Sequence, residues 1–525
     1  MPWNLAIHTI DVGRGESSLI VATNGGGGPD DSRTMLVDGG LPAYGSTVHR
    51  YVTPARAPRM NHILASHYDD DHSGGLLSLL LADNLHNLLD TIAQTAATRA
   101  AGATRAKRVA TGAAVAFAVA SGAYGAGGAP LPSLLDPIVT DAGTVGAVGD
   151  AAAADSGIAA AQRELDYAPS LQPTLIVANA VRRNAARAAG IAAANAMAAG
   201  GVGAANAVAI RTAIFNAVRS RVDPQAARFE TDGRYRTTHV VDIGDSAHQP
   251  EAWGKAVLGW VRIGSFWGRA PGVDRARTTA LLGTEILWGS GPNTTAPPPN
   301  APAVFVLAAR KMVWGAAPGK VPIASGQPDN DDSIGLVVRF NQFVHYTGGD
   351  LPAEGEELVA ASVMTKGLPN PAGGLYPAPQ RIATIKCGHH GANTSTSDLF
   401  LATAKPVEAF ISCGKQAGFQ HPAQAVVNRL VASKPVEKFH LTNCKYVTDH
   451  VPASNGQVQV VPGNKSRVCG DNANVNIAPH RQQRGDICLR ISEAESTAAE
   501  GPGRRFHVEY LEDDTNGAVT DSITF

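Results

Sequence analysis

Strand-like runs lie at both ends of this 525-residue chain and are separated by an alanine-rich middle third. Runs rich in Val and Ile occupy much of the first 65 residues and return after residue 237. Residues 85–228 are instead dominated by alanine, which has the highest intrinsic helix propensity. This order predicts one layered α/β domain, whose halves (residues 1–84 and 229–525) are separated by a large helical insertion.

Two loops are predicted from their residue types. Residues 25–28 are four glycines between two strand-like runs, which indicates a hairpin tip; a phosphate-binding loop would need a helix behind it. Residues 297–299 are prolines, which cannot donate to a sheet ladder. The predicted strands cover residues 5–10, 18–21, 34–37, 63–65, 239–243, 303–307, 334–338, 410–412 and 487–491.

Composition limits the function classes. The net charge is −1 and the pI is near 7.0, so no global basic field attracts the chain to nucleic acid or to anionic lipid. Five scattered cysteines do not form a disulfide framework. The amino terminus has no basic segment followed by an apolar run, so we expect a cytoplasmic protein. Residues 109–135 are uncharged but rich in Ala and Gly, so no membrane span is expected; the insertion could mediate oligomerisation.

Residues 67–72 (His-Tyr-Asp-Asp-Asp-His) are the segment most suggestive of chemistry. Two histidines and three carboxylates within six residues are costly to place together unless cations neutralise them. The alternative is an acidic, solvated loop. Gly74 and Gly75, followed by leucines, predict a sharp turn into a buried helix, which favours a site.

Three further segments place polar residues at the ends of predicted strands. Asp350 follows one strand, His389 and His390 follow another, and His421 precedes a proline after a third. Loops at strand ends converge in layered α/β folds. A lone His or Asp is usually structural, but four such clusters in one chain favour a common site.

These segments together resemble the metallo-β-lactamase superfamily, and most closely the hydrolase domain of the competence protein ComEC and its soluble relatives. The resemblance implies an αββα sandwich interrupted by the helical insertion. The matching segments, in the family's order, are residues 11–16 (Asp-Val-Gly-Arg-Gly-Glu), 36–40 (Leu-Val-Asp-Gly-Gly), 66–75 (Ser-His-Tyr-Asp-Asp-Asp-His-Ser-Gly-Gly), 330–334 (Asn-Asp-Asp-Ser-Ile), 348–350 (Gly-Gly-Asp), 389–392 (His-His-Gly-Ala) and 418–422 (Gly-Phe-Gln-His-Pro).

The resemblance implies a site for two divalent metal ions. Its expected ligands are His67, Asp69, Asp71, His72, Asp350 and His389. Of these, His67 and Asp69 would bind one ion, Asp71 and His72 the other, and Asp350 would bridge the two. His389 would complete the second site.

Other residues would support these ligands. His390 is the alternative to His389, and Asp11 and Asp38 would be outer carboxylates that orient ligand imidazoles. The family's separate third-motif histidine has no clear match here, and His239 and His248 are the candidates for it.

The ligand types bear on the identity of the metal. Three carboxylates and about three imidazoles suit Mn²⁺ about as well as Zn²⁺. Asp69 stands where the superfamily's commoner signature has histidine, a substitution shared with the ComEC-like branch.

The implied activity is that of a phosphodiesterase or nuclease, in which a hydroxide bridging the metals attacks the phosphorus. Asp71 would accept a proton, and His421 would contact a phosphoryl oxygen or assist the leaving group. Further candidate phosphate contacts are Thr394, Ser395, Thr396 and Lys386. The hydroxyls could equally cap a helix, and the lysine could face solvent.

Two alternatives remain open. The same metal pair could hydrolyse a small ester, lactone or phosphocholine-type substrate, which the neutral pI and the lack of basic and aromatic interleaving favour over nucleic acid. A different class is a binding or scaffold protein that acts through the insertion. The intact ligand motifs argue against that class.

Overall fold

A computed structural model gives the fold of the chain. Apart from a few isolated positions, it describes residues 1–28, 30–77, 237–244, 276–289, 296–315, 320–323, 329–414, 421–442, 466–468, 485–498, 503–511 and 520–524. By internal contacts the chain divides into two compact units, of which the first comprises Met1–Leu76, Thr237–Gln249 and Ala276–Phe525. The elements below belong to that unit.

Sheet A is the first of two nine-stranded sheets within the described residues. Its strands are β1 (Asn4–Thr9), β2 (Ser18–Thr23), β3 (Ser32–Val37), β4 (His62–Leu64), β5 (His239–Asp242), β6 (Ala276–Thr279), β18 (Asp486–Ser492), β19 (Arg505–Leu511) and β20 (Thr520–Thr524). Their spatial order is β20-β19-β18-β1-β2-β3-β4-β5-β6. Strands β3 to β6 run parallel, so the loops that leave them lie at one edge of the sheet.

Sheet B has the spatial order β17-β16-β15-β14-β11-β10-β7-β8-β9. Its strands are β7 (Ala303–Ala309), β8 (Met312–Trp314), β9 (Lys320–Pro322), β10 (Gly335–Phe340), β11 (Phe343–Thr347), β14 (Thr384–Lys386), β15 (Glu408–Ile411), β16 (Lys438–Leu441) and β17 (Ser466–Val468). Strands β11, β14, β15, β16 and β17 are parallel neighbours. A short hairpin, β12 (Leu368–Pro369) with β13 (Leu375–Tyr376), lies outside both sheets.

Every predicted strand is present, with bounds that differ by at most two residues. The first forty residues form three antiparallel strands, and residues 25–28 lie in the loop between β2 and β3 as expected. Residues 296–300 form a loop, as the prolines require. Strand β7 is buried along its whole length, which explains why its sequence is continuously apolar rather than alternating.

Helices cover the outer face of sheet B. The described helices are α1 (Gly45–Tyr51), α2 (Ala353–Lys366), α3 (Asp398–Ala404), α4 (Gln424–Ala432) and α5 (Glu493–Thr497). Val363 of α2, Phe400 of α3 and Leu430 of α4 are fully buried in one apolar cluster with Ile385 and Phe439 of the sheet. This cluster forms a hydrophobic core between sheet B and the helices that cover it.

The opposite face of sheet B meets sheet A. The rings of Phe343 on β11 and Phe506 on β19 pack edge to face with centroids 5.7 Å apart. The hydroxyl of Ser412, just after β15, donates to the carbonyl of Gly15 on the loop between β1 and β2. The unit is therefore a mixed α/β structure consistent with an αββα sandwich.

Gly74 and Gly75 lie inside a helical segment rather than in a turn before it, because residues 70–76 are already helical. A Cβ on Gly75 would collide with the carbonyl oxygen of Gly39, and one on Gly74 would collide with Pro42. The two glycines therefore allow the helix to pack directly against the loop that follows β3. Close backbone approach, not turn formation, is their role.

The predicted insertion, residues 85–228, and the uncharged stretch at residues 109–135 lie outside the described residues. The helical character of that segment and its suggested role in oligomerisation therefore stay predictions. No helix in the described part of the chain is long and apolar enough to cross a membrane.

Candidate metal centre

The loop that leaves β4 carries the first group of potential ligands. His67 and His72 are buried, with 2 % and 0 % of their surfaces exposed. The backbone N–H groups of His72 and Ser73 donate to the carbonyl of Asp69 at 3.0 and 2.8 Å, which starts the helical segment. This turn brings both imidazoles to the same side of the loop, with ring centroids 4.2 Å apart.

Asp350 stands at the centre of the cluster, directly after β11, and is 3 % exposed. Its Oδ1 atom lies 2.9 Å from Nε2 of His72 and 3.6 Å from Nε2 of His390. Its Oδ2 atom lies 3.5 Å from Nε2 of His389 and 4.0 Å from Nε2 of His67. One buried carboxylate thus faces four imidazoles from two distant parts of the sequence.

The two outer carboxylates of the first loop flank this centre. Asp69 lies 3.6 Å from Nε2 of His67, and Asp71 lies 3.6 Å from Nε2 of His390. The Nε2 atoms of His72 and His390 are only 3.1 Å apart. Imidazole nitrogens directed at one point at this separation are typical of ligands that share a cation.

Of the three groups of described residues whose ligand atoms lie close enough together to hold a metal ion, two join the first loop to Asp350 or to the histidine pair. One is His67, His72 and Asp350, and the other is Asp71, His72 and His390; within each, all ligand atoms lie within 4.8 Å of one another. The chemistry of these atoms also fits a cation. Among the described residues, Nε2 of His67 and Oδ1 of Asp350 are buried without an acceptable hydrogen bond.

The electrostatics of the cluster favour positive charge at its centre. Burial alone would raise the pKa of Asp350, but the imidazoles of His72, His390 and His389 outweigh it and hold that pKa well below its usual range. Burial alone would lower the pKa of His72, yet Asp350 and Asp38 raise it well above its usual value. The negative charges of these carboxylates would likewise stabilise a metal cation bound among them.

Asp38 supports His72 from outside the cluster. It lies just after β3 with φ of 58°, and its Oδ1 accepts the backbone N–H of Ser66 at 2.8 Å. Its Oδ2 accepts the Ser66 hydroxyl at 2.6 Å and lies 2.9 Å from Nδ1 of His72. This is the arrangement expected of a carboxylate that orients a ligand imidazole. Asp11, by contrast, accepts the backbone N–H of Gly13 within its own turn.

The histidine pair occupies a tight turn after β14. His389 and His390 both have positive φ, 46° and 52°, a conformation that costs energy for residues with a Cβ. His390 is 3 % exposed, and its Nδ1 lies 3.2 Å from the Ser412 carbonyl, which leaves Nε2 for the cluster. His389 is more open, with 21 % of its side chain exposed, and its Nδ1 lies 3.3 Å from the side-chain nitrogen of Asn330.

Glu356 of α2 holds the turn in place. This carboxyl is fully buried and accepts the backbone N–H groups of Gly388, at 3.2 Å, and Thr396. Burial raises its pKa to about 8, although these hydrogen bonds oppose the shift. The side chain thus ties both ends of the histidine turn to a helix of the core.

Two residues expected to contact phosphate are instead engaged inside the protein. Lys386 is 1 % exposed, and its ammonium group contacts the carboxylate of Glu16. The Ser395 hydroxyl is fully buried and donates to the carbonyl of Gly388 at 2.6 Å. Thr394 is exposed, with its hydroxyl 3.4 Å from Nδ1 of His389. The side chain that caps α3 is that of Ser397.

A third group of potential ligands also has the spacing of a metal site. It consists of Glu16, Asp38 and His72. The ammonium group of Lys386 already contacts Glu16 there, so a cation is present without a metal. Burial alone would lower the pKa of Lys386, but Glu16 and Asp350 raise it. This buried pair was not expected from the sequence, because its members are 370 positions apart.

The remaining histidines differ in position. The ring of His421 lies at the rim of the cluster, 5.4 Å from that of His389 and 6.0 Å from that of His390 between centroids. His239 lies at the opposite end of the parallel strands, at the start of β5, with its ring 6.0 Å from that of His62. His248 lies outside the described residues.

Part of the chain is similar to a known protein. The chain is 36% identical over 104 residues to the competence protein ComA of Neisseria gonorrhoeae, an alignment that covers 20% of this chain and 13% of ComA. No model of a known protein family matches the chain. The match is weak support for a ComEC-like relationship.

Proposed function

We propose that this chain is a metallo-β-lactamase-type hydrolase that binds two divalent cations and cleaves phosphodiester bonds. The observation that carries the proposal is the meeting of His72 and His390, 318 positions apart in sequence, at the buried carboxylate of Asp350. Beside them, the buried Nε2 atom of His67 and Oδ1 atom of Asp350 have no acceptable hydrogen bond within the described residues, which a purely structural role would leave unexplained.

The residues divide naturally between two ions. One ion would be held by His67, Asp69 and Asp350, and the other by Asp71, His72 and His390, with Asp350 also facing the second. This mixture of carboxylates and imidazoles suits Mn²⁺ and Zn²⁺. When bound, the ions would supply Lewis acidity and a water molecule of lowered pKa.

The protein's own groups position the ligands and the substrate. Asp38 and the Ser412 carbonyl each bind the Nδ1 side of a ligand imidazole, His72 and His390 respectively, and so direct Nε2 at the ions. In this proposal His421, whose ring lies 5.4 Å from that of His389 between centroids, would offer a ring N–H to the leaving-group oxygen. Asp71, partly exposed and 3.6 Å from Nε2 of His390, would accept a proton from an attacking water.

The size of the substrate stays open within this proposal. A net charge of −1 gives no general attraction for a nucleic-acid polymer, so a small phosphodiester suits the chain as well as single-stranded DNA does. The same metal pair would also act on a lactone or small ester. Direct comparison of substrates separates these cases.

The test uses the full chain, stripped of metal by a chelator and reloaded with Mn²⁺ or Zn²⁺. We expect metal-dependent turnover of bis-(p-nitrophenyl) phosphate, with or without cleavage of single-stranded DNA, and its loss in His72→Ala. Turnover of a chromogenic lactam alone would reject the phosphodiesterase assignment. A His72→Ala protein that keeps its full biological effect would support the scaffold alternative.

A further inference from the structure

Arg14 occupies the exposed side of a tight turn between β1 and β2. Gly13 and Gly15 on either side have φ of 64° and 120°, so the turn depends on glycine. Asp11 closes the turn by accepting the backbone N–H of Gly13 at 2.9 Å. The conformation of Arg14 is therefore imposed by its neighbours.

This turn packs between the loop that carries Asp71 and the segment that follows β15. The backbone N–H of Glu16 donates to the carbonyl of Asp71 at 2.9 Å, and a Cβ on Gly15 would collide with that same carbonyl. On the other side, a Cβ on Gly414 would collide with the backbone of Gly13 and Arg14. Gly414 follows Ser412, whose carbonyl orients His390. The backbone of Arg14 thus borders the cluster.

The side chain of Arg14 lacks a partner. It is partly buried, its Nε atom is enclosed, and within the described residues it makes no hydrogen bond and no ion pair. Other arginines do have partners: Arg277 bonds the carboxylate of Asp242, Arg490 that of Glu509, and Arg429 two backbone carbonyls. An enclosed, unpaired guanidinium nitrogen indicates that its acceptor comes from outside the protein.

A second donor lies beside the same turn. The hydroxyl of Tyr44 packs on Gly13 so closely that a Cβ there would collide with it. Tyr44 is partly exposed, and no described residue is hydrogen-bonded to this hydroxyl. Arg14 and Tyr44 are therefore two hydrogen-bond donors beside Gly13 that have no partner within the described residues.

We infer that Arg14 binds the non-bridging oxygens of an anionic phosphoryl group at the edge of the metal centre, and so selects phosphodiesters over uncharged esters and lactones. The inference rests on the proposed function. The planar guanidinium presents paired N–H donors that match two phosphoryl oxygens, and an uncharged ester offers no such charge-assisted pair.

The experiment compares Arg14→Ala and Arg14→Lys with Arg505→Ala, a control at an exposed arginine of β19. Two quantities are measured on metal-loaded protein: the dissociation constant of inorganic phosphate by calorimetry, and kcat/KM for bis-(p-nitrophenyl) phosphate and for uncharged p-nitrophenyl acetate. We expect Arg14→Ala to weaken phosphate binding and raise KM for the diester by about 10- to 100-fold, given the strength of charge-assisted hydrogen bonds. Metal content and turnover of the acetate should be unchanged.

The lysine variant separates charge from geometry. Arg14→Lys should recover part of the affinity but not all of it, because an ammonium group lacks the paired donors. Equal loss for both substrates in Arg14→Ala, or unchanged phosphate affinity, would overturn the inference while leaving the proposed function intact. Arg14-dependent phosphate binding in a protein that cleaves no phosphodiester would instead reject the proposed function and keep the anion site.

Discussion

Oδ2 of Asp38 lies 2.9 Å from Nδ1 of His72, on the side of the ring opposite the nitrogen that faces Asp350. With its Nδ1 proton held by Asp38, the imidazole turns Nε2 toward the cluster, and a metal ion binding there would displace the second ring proton that Asp350 stabilises. Because two hydrogen bonds from Ser66 hold Asp38 in place, the imidazole cannot turn without breaking its contact with this carboxylate. The orientation of the His72 imidazole therefore depends on a carboxylate outside the cluster.

Asp38→Asn should weaken metal binding without removing any ligand. The amide cannot supply two acceptor oxygens, so His72 loses its orientation, and metal affinity should fall by about 10- to 100-fold. Competition with a fluorescent chelator measures the change. Asp398→Asn, at an exposed position of α3, is the matched control. Wild-type affinity in Asp38→Asn would contradict the role assigned to this contact.

Single substitutions of His389 and His390 should have different effects on the amount of bound metal. His390 is buried and directed at Asp71 and His72, whereas His389 is more open. We expect His390→Ala to lower the bound metal from two ions to about one per chain, as measured by elemental analysis. His389→Ala should cost less metal. The reverse order would make His389 the ligand, as the resemblance to the family implied.

We expect the effects of substituting Glu16 and Lys386 on the free energy of unfolding to be strongly coupled, because the two side chains form a buried ion pair. Either single variant, Glu16→Gln or Lys386→Met, leaves one charge without its partner and should cost about 3–5 kcal/mol. The double variant should be more stable than either single one, because no unpaired charge remains. Thermal unfolding of the four proteins gives the coupling energy. Additive losses would show that the two side chains do not act as a pair.

Sequence reasoning could locate strands and candidate ligands because both have local signals. Continuous apolar runs such as that of β7 identify buried strands, and the clustered charges of residues 67–72 are costly without a cation. Because loops at strand ends converge in such folds, Asp350 and the histidine pair could be predicted to belong to the same site. The positions of the strands, and of the polar residues at their ends, could therefore be predicted from the sequence alone.

The burial of single side chains could not be predicted in the same way. Lys386 was expected near phosphate or solvent, but the pleat of β14 turns it and Thr384 toward sheet A, where Glu16 neutralises the lysine. Which face of a strand meets another sheet depends on contacts hundreds of residues away. The difference between His389 and His390 likewise depends on a turn whose backbone is held by Glu356.

Buried histidines away from the cluster predict how stability depends on pH. Burial lowers the pKa of His62 and of His345 to about 3, from 6.5 in the unfolded chain. Between these values the unfolded state binds protons that the folded state does not, so stability is full above pH 6.5 and is lost as the pH falls toward 3. Each imidazole contributes about 1.4 kcal/mol per pH unit within that window.

Removing one of these buried imidazoles should make the free energy of unfolding less dependent on pH. In His345→Gln, the free energy of unfolding in urea should fall between pH 6 and pH 5 by about 1 kcal/mol less than in the wild type, because one proton fewer is taken up on unfolding. The comparison uses slopes, so a loss of packing at Thr384 or Phe410 in the variant does not affect it. Parallel curves for His345→Gln and the wild type would mean that this imidazole is already protonated in the folded state.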